Sequence, residues 1–340
     1  MSFRRLLPAF AALVALAAAA APTVGASALP AQASSTGEEH AHTHGPDGLG
    51  LDPRGRAKTP GAFAVDDTLK ASWSDGQHDE FGNSLASPDY ADAPDLAGKP
   101  QLHAVYIHPA DKPSRFGTYA SMFQADARQA SQFLLDTRQR SLRWDEAVRG
   151  SGRYLDITVV RSAYKAKQLA TGSQFDLVSR DLSRVFPTSN PAYANKKFVV
   201  WLDADSRYCG QGSLYQDTRR QAGNYNERRT TGIVYRPYTS DALTGGWCRG
   251  RTLLHEIGHN LGALQQVAPN AFDGAHCDDD DNDVMCYTAQ AASGAGVAVF
   301  DAGSNDYWDP EGGKLPWWAV NLNKFLCPST GCANANVANY

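Results

Sequence analysis

From Gln101 onward the apolar residues fall into two spacings, and the spacing separates strands from helices. Leu102, Val105 and Ile107 mark a strand that begins at Gln101 and ends near His108. Tyr119, Met122, Phe123, Ala130, Phe133 and Leu134 recur at close to a helical period, which predicts one long amphipathic helix over residues 118–138. Leu155 to Val160 reads as the next strand, and Phe175, Val178, Leu182 and Val185 mark a second helix. Phe198 to Leu202 is a continuous apolar run, the pattern of a central strand covered on both faces. Gly232 to Arg236 is a shorter strand, Arg251 to Leu264 a third helix, and Trp317 to Leu326 a C-terminal helix. Strands alternating with helices predict an α/β (α+β) fold, with helices packed on a twisted mixed sheet.

The helix at Arg251 to Leu264 carries Leu254, Ile257, Leu261 and Leu264 on one stripe, which buries that side and fixes the direction of the others. Gly262 sits where the helix can stop, because glycine takes the left-handed turn that leads a chain out of a helix. Along this helix run His255, Glu256, Ile257, Gly258 and His259. Residues four apart share a helix face, so His255 and His259 can both aim an imidazole nitrogen at one Zn²⁺. Glu256 then points beside the metal, where a carboxylate can take a proton from a water whose pKa the zinc lowers to about 7. A polar helix face without metal is the plainer reading of these five residues. The stripe, the glycine stop and a downstream Met285, Cys286, Tyr287 together count against it.

The set His255, Glu256, His259, Gly262 and then Met285 and Tyr287 resembles the metzincin zinc endopeptidases, whose zinc helix is followed by a tight turn carrying a methionine beneath the metal. The resemblance implies a metzincin-like domain over residues 101–340, with a sheet and helices above the zinc helix and a loop-rich, disulfide-closed lower part. It also implies hydrolysis of peptide bonds in a protein or peptide substrate, with Glu256 as general base. Tyr287 matches the position from which astacins and serralysins offer a hydroxyl to the metal or the oxyanion, although a buried structural tyrosine explains it equally well. The departure comes at the third ligand. Three residues after Gly262 stands Gln265, a poor zinc ligand, and the nearest downstream histidine is His276. His276 is the expected replacement, with Gln265, Asp273 or an aspartate of the 278–283 loop as the alternatives. Gln265 also keeps open a catalytically inactive metzincin-like binding protein, and a zinc amidase acting on cell-wall peptides is a third reading.

The remaining features set the address. Met1 to Arg5 holds two arginines, an Ala/Leu/Val-rich run follows to Ala21, and Ala26, Ser27, Ala28 gives an A-x-A site. That is the pattern of a secretory signal peptide over residues 1–28, and the alanine-rich run between Pro8 and Pro22 suits a transmembrane anchor less well. Without those residues, which include Arg4 and Arg5 and no acid, the formal charge moves from −4 to −6. A mildly acidic chain has no electrostatic footprint for nucleic acid. Residues 29–100 read as a flexible leader or propeptide-like segment. It is rich in Ala, Ser, Gly, Pro and Thr, with His40, His42 and His44 in a solvated cluster and only Phe63, Trp73, Phe81 and Tyr90 as scattered anchors. No cysteine precedes Cys209, so a propeptide cysteine cannot gate the zinc. Six cysteines in an exported chain imply three disulfides, and proximity suggests Cys277 with Cys286, Cys209 with Cys248, and Cys327 with Cys332. Asp278 to Asp281 with Asp283 form an acidic run that is a candidate Ca²⁺ loop, or else a solvated one. His78, His103 and His108 have no ligand-like spacing and are expected to be structural. The expected protein is secreted, monomeric, and has neither membrane nor nucleic-acid partners.

Overall fold

The structure, a computed structural model, describes residues 91–92, 100–149, 152–170, 174–206, 209–218, 224–227, 231–235, 250–273, 275–286, 299–308 and 324–328. Residues 1–28, expected to be a signal peptide, nearly all of residues 29–100, expected to be a leader, Tyr287 and residues 317–323 lie outside them. In chain order the elements are β1 (Ala91–Asp92), β2 (Gln101–His108), α1 (Phe116–Arg138), β3 (Arg140–Leu142), β4 (Glu146–Arg149), β5 (Gly152–Leu155), β6 (Ile157–Arg161), α2 (Ala166–Leu169), α3 (Gln174–Val185), β7 (Lys196–Leu202), β8 (Gly210–Gly212), β9 (Thr231–Tyr235), α4 (Gly250–Leu261) and β10 (Leu326–Pro328).

Five strands form the main sheet in the order β6-β2-β7-β9-β8. The first four are parallel, and β8 adds to β9 antiparallel at the edge. The fold is therefore mixed α/β, as the alternation of periods implies. Strand side chains point alternately to opposite faces, so an apolar run must be covered twice. On one face Leu102, Ala104, Tyr106, Val199 and Trp201 pack with α1 and α4. On the other, Val105, Ile107, Phe198, Val200 and Leu202 pack with Phe175, Val178, Leu182 and Val185 of α3. Helix α1 is fixed to the sheet by more than apolar contact. The Trp201 indole, tilted against the Phe123 ring with centroids 5.0 Å apart, donates to the buried Asp126 carboxylate at 3.1 Å.

Two expectations require correction. Leu155 to Val160 is not one strand. The chain breaks at the buried Asp156, whose backbone N–H donates to the Asp145 carbonyl at 3.1 Å. Leu155 ends β5, in a three-stranded antiparallel sheet with β1 and β4, whereas Ile157 begins β6 in the main sheet. The C-terminal helix does not reach Leu326, because Leu326–Pro328 pairs antiparallel with β3, Leu326 opposite Leu142. The rest of that expectation falls outside the described residues.

His103 and His108 do structural work. His103 is buried between the Asp145 carboxylate at 2.6 Å and the Thr158 hydroxyl at 2.8 Å, and His108 Nδ1 meets the Lys112 carbonyl at 3.1 Å. Burial alone would raise the Asp145 carboxyl, but its contacts with His103 and Lys196 outweigh that and hold it well below the usual range. Cys277 is bonded to Cys286, and Cys209 and Cys327 are also disulfide-bonded, to partners outside the described residues.

Helix α4 ends at Leu261, and Gly262 follows with φ +70°. A side chain there would be strained in the left-handed region, and its Cβ would lie 2.5 Å from Asn226 Cγ. Gly262→Ala is expected to lower stability by about 1–2 kcal/mol from the backbone alone, with the clash added to it. Denaturant unfolding measures this, and a wild-type midpoint would show that the turn relaxes freely.

Candidate metal centre

Helix α4 lies buried against the sheet through Leu253, Leu254, Ile257 and Leu261, which leaves its remaining face to carry His255, Glu256 and His259. The two histidine rings stand edge to face with centroids 4.5 Å apart, and their Nε2 atoms are 3.0 Å apart. His255 Nδ1 lies 2.6 Å from the Val284 carbonyl oxygen, which can only accept. Nδ1 therefore carries the proton, and the Nε2 lone pair is left facing His259.

Beyond Gly262 the chain loops back and delivers His276 to the same place. Its ring stacks on His255 at 5.3 Å, nearly parallel at 7°, and meets His259 edge-on at 5.0 Å. All three imidazoles are buried, and each offers a nitrogen to a group whose members lie within 4.8 Å of one another. His276 is held from behind. Asp273 Oδ2 accepts from its Nδ1 at 2.6 Å, while Asp273 Oδ1 accepts from the backbone amides of Ala275 and His276. Burial opposes ionisation of this carboxyl, but the hydrogen bond and charge of His276 and the two amides hold it below its ordinary value.

The donor set suits a metal. A tetrahedral ion with Zn–N bonds of 2.0–2.1 Å spaces its nitrogens roughly 3.3 Å apart, close to what the helix pair shows, and three protein ligands leave the fourth position to water. Gln265 follows the helix, and its buried Oε1 meets no donor among the described residues. It is fully buried, and its Nε2 donates to the Gly262 carbonyl at 3.2 Å, which turns the amide back onto the end of its own helix.

Glu256 is almost fully buried, and neither carboxylate oxygen meets a hydrogen-bond donor among the described residues. Burial pushes its carboxyl well above the usual carboxylate range. It fits there because strand β8 meets it with two glycines: a Cβ on Gly210 would lie 2.3 Å from Glu256 Oε1, and one on Gly212 2.9 Å from Oε2. Met285 underlies α4 by the same device, since a Cβ on Gly258 would lie 2.5 Å from the Met285 sulfur. The segment carrying Met285 is fixed by Asp283, whose Oδ1 accepts from the Met285 amide at 2.6 Å, and by the Cys277–Cys286 bond. The structure thus brings His255, His259, His276, Glu256 and Met285 together, while Tyr287 lies outside the described residues. Gly210 and the Val284 carbonyl are contributors that sequence reasoning missed, and Asp273, considered there as an alternative ligand, instead holds the His276 ring from behind. Only Asp273 left a signal, as an acid three residues before a histidine.

No protein-family model matches the sequence, and no curated protein does. Similar solved structures include metalloproteinase-II from Bacteroides fragilis (17% identity, TM-score 0.31, 62% of this chain and 54% of that one). Archaemetzincin from Methanopyrus kandleri matches at 12% identity and TM-score 0.29, over 58% of this chain and 89% of that one. OgpA from Akkermansia muciniphila matches at 13% identity and TM-score 0.35, over 59% of this chain and 56% of that one. The chain therefore spans little more than half the length of two of these three.

Competition with a chromogenic chelator tests the ligand set. His276→Ala should lose tight zinc binding and Gln265→Ala should retain it. Asp273→Ala should weaken it about 10–100-fold, the usual cost of removing the group that orients a ligating histidine. Zinc held as tightly by His276→Ala as by the wild type would remove His276 from the site.

Proposed function

We propose that this chain is an exported zinc-dependent endopeptidase. The observation that carries the reading is the convergence of three buried imidazoles, His255, His259 and His276, beside a buried carboxylate that meets no hydrogen-bond donor among the described residues. A structural histidine cluster has no need of Glu256, whose two unpaired oxygens make it costly to bury. A general base has to be in that condition, with its lone pairs unspent and within the site.

A zinc ion held by the three nitrogens would supply Lewis acidity and bring the pKa of water to about 7. The chain's own residues would do the rest. Glu256 takes the proton of the attacking water on a carboxylate oxygen and passes it to the amine nitrogen as the peptide C–N bond breaks. Val284 and Asp273 keep the Nδ1 protons of His255 and His276 in place, so that the opposite nitrogens carry lone pairs suited to a metal. Tyr287, two residues beyond Met285, is the candidate for holding the oxyanion. The rival reading, an inactive binding protein, rests on Gln265 as a failed ligand, and the grouping of the His276 imidazole with His255 and His259 weighs against it.

Export is supported by the signal-like N-terminus and by the disulfide-bonded Cys209, Cys277, Cys286 and Cys327. Among the described residues no helix is long and apolar enough to cross a membrane. A monomer acting on protein or peptide substrates completes the proposal.

Glu256→Gln should keep stoichiometric zinc and lose casein hydrolysis by about 10²–10⁴-fold, because the amide has the carboxylate's shape but cannot take the proton. Zinc content and hydrolysis are measured on the same sample. Wild-type turnover in this variant would remove the general-base role, and a wild-type protein that binds zinc yet cleaves no unstructured substrate would favour the binding-protein reading.

A further inference from the structure

The acidic run noted in the sequence does not form a site on its own, because its most deeply buried member is already satisfied. Asp283 Oδ1 accepts from the Met285 amide at 2.6 Å and from the Tyr307 hydroxyl at 2.8 Å, and Asp283 Oδ2 accepts from the Ala302 amide at 2.7 Å. Asp301 is likewise taken up by the amides of Asp306 and Trp308. Asp306 differs. It is fully buried, its Oδ1 accepts from the Asn270 side chain at 2.9 Å, and its Oδ2 meets no donor among the described residues.

The charges facing Asp306 are the carboxylates of Asp279, Asp301 and Asp283. The nearby guanidinium groups are directed elsewhere. Arg251 donates to the carbonyls of Asp281 and Asp283, and Arg138 to those of Phe300 and Asp301 and to the Ser304 hydroxyl. A buried carboxylate oxygen among like charges lacks either a proton or a cation.

The neighbouring side chains are of the type that would supply a cation. Asn270 Nδ2 donates to Asp306 Oδ1 and, at 3.1 Å, to Asp279 Oδ2, which also accepts from Asn305 Nδ2 at 2.7 Å. Asn305 Oδ1 is buried with no donor among the described residues. In this arrangement two amide N–H groups converge on two carboxylates, as a positive charge would. Turned by half a rotation, the same amides present oxygens instead. The four side chains then offer up to six oxygens, within the six to eight that Ca²⁺ takes. Softer metals find no thiolate here, because Cys277 and Cys286 are bonded to each other.

We infer that Asp279, Asp306, Asn270 and Asn305 form a Ca²⁺ site, separate from the three histidines. Such a site adds a polar joint between three segments that meet the core through Ala268, Met285 and Tyr307: the loop leading to His276, the disulfide-closed loop, and the 301–308 segment that supports Asp283 through Tyr307. It is a structural clamp on the loops that place His276 and Met285, with no part in the chemistry. It stands whether or not the chain is a peptidase.

The test uses the full zinc-loaded protein, so that the histidines are already occupied, and follows the thermal midpoint and calorimetric binding with Ca²⁺ or Mg²⁺ alone. The midpoint should rise with Ca²⁺ into the millimolar range, where extracellular calcium sites of about 10⁻⁴–10⁻³ M affinity saturate, and much less with Mg²⁺. Asp279→Ala, at an exposed position, should abolish the rise and weaken Ca²⁺ binding at least about tenfold, as loss of a charged ligand does. Asp306→Asn should do the same. Unchanged Ca²⁺ affinity in Asp279→Ala overturns the assignment. So does a midpoint indifferent to Ca²⁺ that falls as pH rises through about 8, to which burial, chiefly, and the neighbouring carboxylates push the Asp306 carboxyl; that outcome assigns a proton to the site.

Discussion

The position of two protons governs the lower half of this molecule. His255 and His276 each keep a hydrogen on Nδ1, one by donating to the Val284 carbonyl and the other by donating to Asp273. Had either acceptor been missing, the proton could sit on Nε2, and the nitrogens that now converge could not share an ion. Both acceptors belong to the chain that follows Gly262. That segment has to leave the helix sharply, travel out, and come back along the helix it left. The left-handed turn at Gly262 and the Cys277–Cys286 bond fix the two ends of that path.

The upper half supplies the rigid surface on which this happens. Helix α4 is buried between α1, the main sheet and the Met285 segment, so the direction of its histidine face follows from packing. The cost of the arrangement falls at Glu256, a carboxylate enclosed without a donor among the described residues. Close approach is achieved by removing side chains: Gly210 yields space to Glu256, and Gly258 yields it to Met285. Local burial of an unsatisfied group is tolerated where the surroundings are firmly packed, which is why such groups concentrate at functional sites.

The elements that could be read from sequence are those whose own side chains decide their state. Gln101–His108, Phe116–Arg138, Gln174–Val185 and Lys196–Leu202 all stand within a few residues of where the apolar spacing put them. The failures share a cause, which is dependence on a distant partner. The run from Leu155 to Val160 shows no interruption in β-propensity strong enough to reveal that Asp156 carries the chain from one sheet to another. Leu326 pairs with Leu142, and nothing in its local sequence announces that strand. Gly210–Gly212 has almost no side chains to form a pattern. At the site, the helix histidines were legible from spacing and His276 from ligand chemistry, whereas Asp273 acquires its role only through the way its loop curls over His276.

The two halves are therefore held together by different physics. Above α4, apolar faces close on both sides of the main sheet. Below it, the residues that place His276 and Met285 are joined by a disulfide and by polar contacts of Asp273, Asp283, Asp301 and Tyr307, several of them buried and ionisable. Burial pushes the Asp283 carboxyl up to about 7 even though it accepts three hydrogen bonds. A site built across that boundary inherits its orientation from the core and its completion from the loops. Two of the three clustered imidazoles, His255 and His259, take their places from one helix turn, whereas His276 takes its place from the polar contacts of Asp273 and from the disulfide beside it. The grouping is then a property of the helix and the loops together, and loss of either would separate the three rings.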